Sequence, residues 1–115
     1  MIHLYGIPNC DTVKKARLWL DAQGKAYTFH DYKKEGADPD RIAGWIAVAS
    51  LDLVVNRKGT TFRALSDEDK ALLASADTAP AVLAANPSVI KRPIVEHAGG
   101  ILVGFKPEDW AAALG

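Results

Sequence analysis

The chain has 115 residues, of which 49% are hydrophobic and 24% charged, a composition typical of one globular domain rather than a disordered chain. Its fourteen basic and fourteen acidic side chains cancel, so binding to nucleic acid or to a membrane surface through net charge is disfavoured. One cysteine excludes an internal disulfide. No apolar run approaches the roughly 18 residues of a membrane span, and no signal-peptide pattern is present. We therefore expect a single cytoplasmic domain over residues 1–115, without direct contacts to nucleic acid or membrane.

The first third of the chain predicts a strand, a helix and a second strand. Residues 2–7 form an apolar run typical of a buried central strand. Apolar side chains then recur at helical spacing from about Cys10 to Gln23, and Gly24 ends the helix. Residues 26–32 alternate aromatic and polar side chains, as a half-buried strand does. This order within about 30 residues predicts a βαβ unit with two parallel strands.

The middle of the chain predicts helices only, and strands return near its end. Helix starts are expected at Asp38-Pro39, at Leu51, after Ser66 and at Thr78. Residues 93–97 and 101–105 then predict an antiparallel hairpin, followed by a helix from residue 107. The order βαβ, helices, ββα predicts an α/β fold: a thioredoxin-like core with an all-helical insertion over about 38–86.

The only cysteine, Cys10, falls in the turn between the first strand and the first helix. Backbone N–H groups and the dipole at a helix start stabilise a thiolate, which is the nucleophilic form of cysteine. The alternative is a small buried hydrophobic residue. The adjacent Asp11 disfavours a thiolate, whereas Lys14 and Lys15, one turn further on, would offset that charge. We interpret Cys10 as a reactive thiol.

Two arginines are candidates for anion binding. Arg92 precedes Pro93 at the start of the third strand, where a cis-proline would hold the loop beside Cys10. The planar guanidinium of Arg92 would then suit a carboxylate or an oxyanion. Arg57, next to Lys58, would add a cationic rim from the helical insertion; the alternative is an ordinary solvated loop.

The three histidines, His3, His30 and His97, all fall in predicted strands, and we interpret them as structural. A zinc site needs closely spaced ligands, which one cysteine and scattered histidines do not provide. We therefore expect no metal site and no bound cofactor.

Several motifs together resemble the ArsC/Spx family, and most closely its small YffB-like subgroup. The resemblance spans nearly the whole chain, with the motifs in order and suitably spaced. They are Tyr5-Gly6-Ile7-Pro8-Asn9-Cys10-Asp11-Thr12, Asn56-Arg57-Lys58-Gly59-Thr60-Thr61, Ile90-Lys91-Arg92-Pro93-Ile94-Val95 and Val103-Gly104-Phe105. The fold that this resemblance implies, a thioredoxin-like core with a helical insertion, agrees with the order of elements predicted above.

The resemblance also implies roles for individual residues. Cys10 corresponds to the nucleophile of glutaredoxin-coupled arsenate reductases. The positions that correspond to substrate or anion binding, or that flank the nucleophile in its motif, are Arg57, Arg92, the cis-proline Pro93, Asn9 and Thr12.

Three departures from those reductases disfavour arsenate as the substrate. The histidine and the serine that assist the thiolate there are Gly6 and Val13 here. A third arginine near the end of the last strand is absent, because residues 102–105 are Leu-Val-Gly-Phe. Ile7 and Val13 also stand where the Cys-x-x-Cys switch of Spx-type regulators would need a second cysteine.

The resemblance and the single thiol together favour a glutathione-dependent thiol/disulfide oxidoreductase acting through a mixed disulfide. The expected partners are glutathione as co-substrate, glutaredoxin, and a small oxyanion or disulfide substrate, and the protein is expected to be a monomer. Two alternatives are kept. One is a Spx-like module that docks on RNA polymerase or another protein, with Cys10 only sensing oxidation; the other is a true arsenate reductase.

Overall fold

The computed structural model describes residues 2–114, with Lys33 described by its backbone alone. The chain divides into two compact units. The sheet unit comprises the residues up to Glu35 and those from Arg92 onwards, and the helical unit comprises Gly36–Lys91. None of the helices within residues 2–114 is long and apolar enough to cross a bilayer.

Within residues 2–35 and 92–114, the sheet unit contains four strands and three helices. In chain order they are β1 (Ile2–Gly6), α1 (Asp11–Ala22), β2 (Tyr27–Asp31), α2 (Tyr32–Glu35), β3 (Ile94–His97), β4 (Gly100–Val103) and α8 (Pro107–Leu114). The strands lie in the order β2-β1-β3-β4. β1 pairs in parallel with β2 and antiparallel with β3, and β3 and β4 form the hairpin. The predicted βαβ unit, the central position of β1 and the hairpin are thereby confirmed.

The second strand is shorter than the sequence predicted. β2 ends at Asp31, and Tyr32 opens the short helix α2 instead of continuing the strand. The Glu35 carboxylate accepts the backbone N–H of Asp31 at 3.2 Å and a ring N–H of His30 at 2.9 Å. The hydrogen bond from His30 lowers the pKa of Glu35. These two bonds close the turn that ends the strand.

One face of the sheet packs against α1 and α8. Its buried cluster contains residues from all three elements: Leu4, Val13, Ala16, Leu20, Val95 and Trp110. Trp110 is 1% exposed, and its ring meets those of Trp19 and Phe105 edge to face. The apolar stripe that predicted α1 is therefore the face that anchors this helix to the sheet.

The opposite face of the sheet carries polar side chains. His3 and Tyr5 of β1 project from it, and His30 lies beside them on β2. The two imidazoles are joined by a hydrogen bond of 2.9 Å, and the Tyr5 ring stacks on His30 with centroids 4.4 Å apart. The Tyr5 hydroxyl donates to Glu96 of β3 at 3.0 Å. Residues on this face are thus held by directional polar contacts as well as by packing.

The helical unit contains five helices. They are α3 (Pro39–Val48), α4 (Leu51–Val54), α5 (Thr60–Ala64), α6 (Asp67–Leu72) and α7 (Ala79–Ala85), followed by a 3-10 turn at Pro87–Val89. Asp38 and Ser66 cap α3 and α6 through their side-chain oxygens, as the sequence predicted. α5 was not predicted, because its N-cap, Gly59, makes no side-chain capping bond. The unit also extends past the predicted insertion, since an isolated bridge joins Val55 to Ile90.

Burial within the sheet unit predicts contrasting effects of the same substitution at two leucines. Leu4 is 0% exposed in the centre of the sheet, whereas Leu18 on α1 is 67% exposed. We expect Leu4→Ala to lower the free energy of unfolding by about 2–5 kcal/mol, because it leaves a cavity. Leu18→Ala should change it by no more than about 0.5 kcal/mol. Urea unfolding at 25 °C measures both, and equal losses would contradict this description of the core.

Candidate active site around Cys10

The Cys10 thiol is placed by the turn between β1 and α1. Cys10 is the N-cap residue of α1, with extended backbone angles of φ −87° and ψ 124°. Its N–H donates to the carbonyl of Ile7 at 3.2 Å, and its carbonyl accepts the N–H of Lys14 at 3.0 Å. The side chain is partly exposed. A thiol in this place is open to a substrate and close to the unpaired N–H groups of the first helical turn.

The surroundings of Cys10 favour its thiolate. Partial burial of the sulfur is the largest single influence and raises its pKa, but four interactions oppose it. The N–H of Val13, the Arg92 guanidinium and the N–H of Thr12 approach the sulfur as hydrogen-bond donors, and the charge of Arg92 adds to them. None of the N–H contacts has the geometry of an ordinary side-chain cap, yet together they hold the pKa of Cys10 below its usual value.

Arg92 reaches Cys10 from the segment that enters β3. The peptide bond between Arg92 and Pro93 is cis, as the sequence predicted. Pro93 is buried, and its carbonyl accepts the N–H of Gly104 at 2.8 Å. The segment before β3 is therefore tied to the end of β4, and the Arg92 side chain donates a hydrogen bond to the sulfur. The structure brings these two predicted site residues together.

Gly6 and Val13 form a close contact beneath the thiol. A Cβ atom on Gly6 would lie 2.8 Å from Cγ2 of Val13, a separation that real Cβ atoms do not adopt. Val13 is also 0% exposed. The methyl groups of Val13 thus fill the space that any side chain at position 6 would need. Gly6 and Val13 are the two positions beneath the thiol that depart from the arsenate reductase pattern, and they pack directly against each other.

The end of the last strand is closed by aromatic packing. The ring N–H of Trp110 donates to the carbonyl of Gly104 at 3.1 Å, and Phe105 packs edge to face on the same indole at 4.9 Å. Gly104 adopts a φ of +75°, in the left-handed region that favours glycine. The place where the third arginine would be expected is thus occupied by a glycine turn and an apolar contact.

The other predicted site residues belong to both units of the chain. Asn9 and Thr12 are exposed beside Cys10, and Thr12 acts through its backbone N–H. Arg57 belongs to the helical unit, where it donates to Asp52 at 3.0 Å and is 40% exposed. Lys58 and Lys91 line a pocket of about 220 Å³ with this pair. Three cationic side chains thus lie around one pocket of the helical unit, and the predicted part of Arg57 in anion binding stays a prediction.

One contribution to the site has no clear signal in the apolar pattern of the sequence. That pattern identifies Val13 only as part of the apolar stripe of α1, yet its backbone N–H is the first of the interactions that lower the pKa of Cys10. The signal was available, because the N-cap residue of a helix faces the N–H groups two and three positions further on.

The fold and the site define a class: thioredoxin-like proteins that carry a single cysteine at the start of the first helix and an arginine before a cis-proline. Within that class the chain belongs to the ArsC family, whose model matches residues 5–113. The predicted family and fold class are thereby confirmed.

Relatives of known sequence or structure agree with this assignment. The YFFB (PA3664) protein is 50% identical, covers 100% of both chains and superposes with a TM-score of 0.94. An arsenate reductase (ArsC) related protein from Brucella melitensis is 44% identical over 96% of this chain and 92% of that one, with a TM-score of 0.73. An uncharacterized protein of Haemophilus influenzae is 42% identical over 98% of both chains. The global transcriptional regulator Spx of Listeria innocua is more distant, at 25% identity over 95% of this chain and 83% of its own.

The contact beneath the thiol predicts that positions 6 and 13 are coupled. Gly6→Ala should lower the free energy of unfolding by about 1–3 kcal/mol, because the new methyl group overlaps Val13. In a Val13→Ala background the same change should cost at least about 1 kcal/mol less. Gly44→Ala is the matched control, since no atom lies within 4 Å of its Cβ position. Additive effects in a urea-unfolding double-mutant cycle would rule out the contact.

Proposed function

We propose that the protein is a glutathione-dependent thiol/disulfide oxidoreductase in which Cys10 is the nucleophile. The observation that carries the proposal is the interaction of the Cys10 sulfur with the Arg92 guanidinium and the first N–H groups of α1. A thiolate stabilised in this way attacks electrophilic sulfur at neutral pH, whereas an ordinary thiol is largely protonated there. The absence of a second cysteine in the chain requires an external thiol for the second half of the reaction.

The proposed cycle transfers two electrons. The Cys10 thiolate attacks one sulfur of a substrate disulfide, the S–S bond breaks, and one substrate thiolate leaves. A glutathione thiolate then attacks the substrate sulfur of the Cys10 mixed disulfide, which releases Cys10 as a thiolate and leaves a substrate–glutathione disulfide. A second glutathione converts this product into glutathione disulfide and the second substrate thiol. Two glutathione molecules are oxidised for each disulfide reduced.

Several features of the chain suit glutathione as the thiol donor. Glutathione carries two carboxylates, and a planar guanidinium such as that of Arg92 binds a carboxylate in bidentate fashion. The backbone that precedes the cis-proline Pro93 would pair with the peptide part of glutathione as an added strand. Asn9 and Thr12 are exposed beside Cys10 and would contact the same ligand. Cytoplasmic glutathione and glutaredoxin are the proposed redox partners of a monomeric protein.

Arsenate is a weaker candidate for the substrate. The contact between Gly6 and Val13 leaves no space for a histidine at position 6, and valine supplies no hydroxyl at position 13. The glycine turn at Gly104 and the packing of Phe105 on Trp110 supply no third cation. A trivalent or pentavalent oxyanion would then be held by fewer positive charges than in those enzymes. We therefore place disulfides before oxyanions as the substrate class.

The pH dependence of Cys10 alkylation tests the stabilised thiolate. We expect the reaction with a neutral alkylating reagent to have its midpoint below about 8.5, the pKa of an unperturbed cysteine. Arg92→Gln should move this midpoint upwards by about one unit, since it removes a hydrogen bond and a positive charge. Arg17→Gln on α1 removes the same charge at a distance and should leave the midpoint nearly unchanged. Mass spectrometry follows the single thiol, and a wild-type midpoint at or above 8.5 would sink the proposal.

Turnover with glutathione separates the enzyme from a second candidate function, a Spx-like docking module. The similarity to Spx over 95% of this chain favours that alternative. For the enzyme, Cys10→Ser should lower the rate of glutathione-coupled disulfide reduction on the order of 10³-fold or more. For the docking module, purified RNA polymerase should bind the wild type and Cys10→Ser equally well under reducing conditions. Wild-type protein that shows polymerase binding but no turnover above the glutathione background would decide for the docking module.

A further inference from the structure

One side of α1 continues directly from Cys10 along the helix. Cys10 is the N-cap residue of α1, and its carbonyl accepts the N–H of Lys14 at 3.0 Å, so Lys14 lies one helical turn beyond the cysteine. Arg17, Leu18 and Asp21 follow at further steps of three or four residues, which keeps them on the same side of the helix. These four side chains form a stripe, here called the α1 stripe, that starts next to the thiol.

The α1 stripe borders a groove against the edge strand β2. The groove has a volume of about 350 Å³ and is lined by Lys14, Arg17, Leu18, Asp21 and Tyr27. Two contacts fix Arg17 on β2: its Nε–H donates to the Tyr27 hydroxyl at 3.1 Å, and its guanidinium carbon lies 4.3 Å from the centroid of the Phe29 ring. The groove is therefore shaped by contacts between α1 and β2.

The side chains of the groove alternate in character along α1. Among the residues that the structure describes, no carboxylate forms an ion pair with Lys14 or Arg17. Leu18 is 67% exposed, and the carboxylate of Asp21 lies at the far end. In order from the thiol, the groove thus presents two cations, an apolar side chain and an anion. A complementary ligand carries a negative charge near the thiol and an apolar group beyond it.

An extended peptide matches this order at a definite spacing. A helix rises about 1.5 Å per residue, so Lys14 and Leu18 lie about 6 Å and 12 Å along α1 from Cys10. An extended chain advances about 3.3 Å per residue, so its residues at two and four positions from a cysteine bonded to Cys10 reach these levels. Side chains two positions apart in an extended chain project to the same face, and both would therefore face the groove.

We propose that the groove binds the peptide segment beside the reactive cysteine of a peptide or protein disulfide. The segment carries a carboxylate two residues from that cysteine, which pairs with Lys14, and an apolar side chain four residues from it, which packs on Leu18. This inference rests on the proposed function, because it names the substrate class of the same thiol. The Cys10 thiolate attacks the bound sulfur, the second sulfur leaves as a thiolate, and two glutathione molecules supply the electrons as in the proposed cycle.

The sheet order leaves separate approaches to Cys10 for the two reactants. β2 and β3 lie on opposite sides of β1. The groove lies on the side of β2, whereas Arg92 and Pro93 precede β3. The peptide segment therefore reaches the thiol from the β2 side, and the β3 side stays open to glutathione.

Charge reversal in the groove tests the inference. The substrates are peptides with one cysteine, dimerised through a disulfide, with glutamate or lysine two residues from the cysteine and leucine four residues from it. Each is made with these residues after or before the cysteine, since an extended chain can run along the groove in either direction. The rate of reduction by glutathione is measured with and without the protein, and the uncatalysed rate is subtracted.

The wild type should reduce the glutamate dimer about fivefold faster than the lysine dimer in at least one orientation, as expected for one exposed ion pair. Lys14→Glu should reverse this preference. Lys15→Glu is the matched control, because it changes the net charge equally but lies about 100° further around α1. It should leave the ratio of the two rates unchanged.

A second substitution tests the apolar contact. Replacing the leucine of the glutamate dimer by serine should slow its reduction by the wild type about threefold, because less apolar surface is buried. Leu18→Ala should abolish that difference. Leu53→Ala, which removes a side chain that is 55% exposed in the helical unit, is the control and should preserve it.

The outcomes separate this inference from the proposed function. Equal rates for the glutamate and lysine dimers, or a preference that Lys14→Glu leaves unchanged, would overturn the role of the groove while the thiol chemistry stands. Self-association that Leu18→Ala abolishes, without any effect on the peptide preferences, would assign the groove to a second copy of this chain and also overturn the inference. No turnover of any dimer or of hydroxyethyl disulfide above the glutathione background would remove the proposed function, and this inference with it.

Discussion

Burial and hydrogen bonding act in opposite directions on the pKa of the Cys10 thiol. The other parts of the sheet unit hold the groups that set this balance. Burial of Cys10 penalises its charge, so a thiolate persists only where donors are held in place at the same moment. The first turn of α1 supplies two N–H groups, and Arg92 supplies a guanidinium from the opposite end of the sequence. Each of these donors stabilises the thiolate only if the helix or segment that carries it holds it in place. The packing of α1 on Leu4 and the tie from Pro93 to Gly104 provide that rigidity.

The sheet topology explains why residues so far apart in sequence serve one atom. β1 is an interior strand, with a parallel neighbour on one side and an antiparallel neighbour on the other. The carboxyl end of β1, the carboxyl end of β2 and the amino end of β3 therefore meet at one edge. The turn to Cys10, the start of α2 and the segment of Arg92 leave the sheet at this edge. The mixed sheet thus brings three chain segments together at this edge. In a fully antiparallel meander, hairpin turns would occupy the same edge.

The sequence predicted those parts of the fold that depend on local pattern. The apolar stripe of α1, the caps at Asp38 and Ser66 and the glycine turn of the hairpin each have a short-range physical cause, and each is present. The end of β2 could not be predicted in this way, because it depends on Glu35 folding back onto Asp31. A carboxylate four residues away gives no periodic signal in the sequence.

The residues of the candidate site also divide into those with a local sequence pattern and those that only the folded structure reveals. Cys10, Arg92 and Pro93 were identifiable because a thiol before a helix and an arginine before a proline are local patterns with a known chemistry. The backbone N–H of Val13 was harder to identify, since the apolar pattern of α1 marks Val13 only as a core residue. Its effect on the sulfur depends on the N-cap position of Cys10, which the structure defines.

The packing of Gly6 against Val13 also limits which substitutions this chain accepts at positions 6 and 13. A histidine at position 6 cannot be accommodated while valine occupies position 13, because even a methyl group would lie 2.8 Å from a Val13 methyl. A serine at position 13 introduced first would leave a void against Gly6 and a buried hydroxyl in need of a partner. Either single step passes through a less stable protein, so the two positions are epistatic. A change at one of these positions without loss of stability therefore requires a matching change at the other.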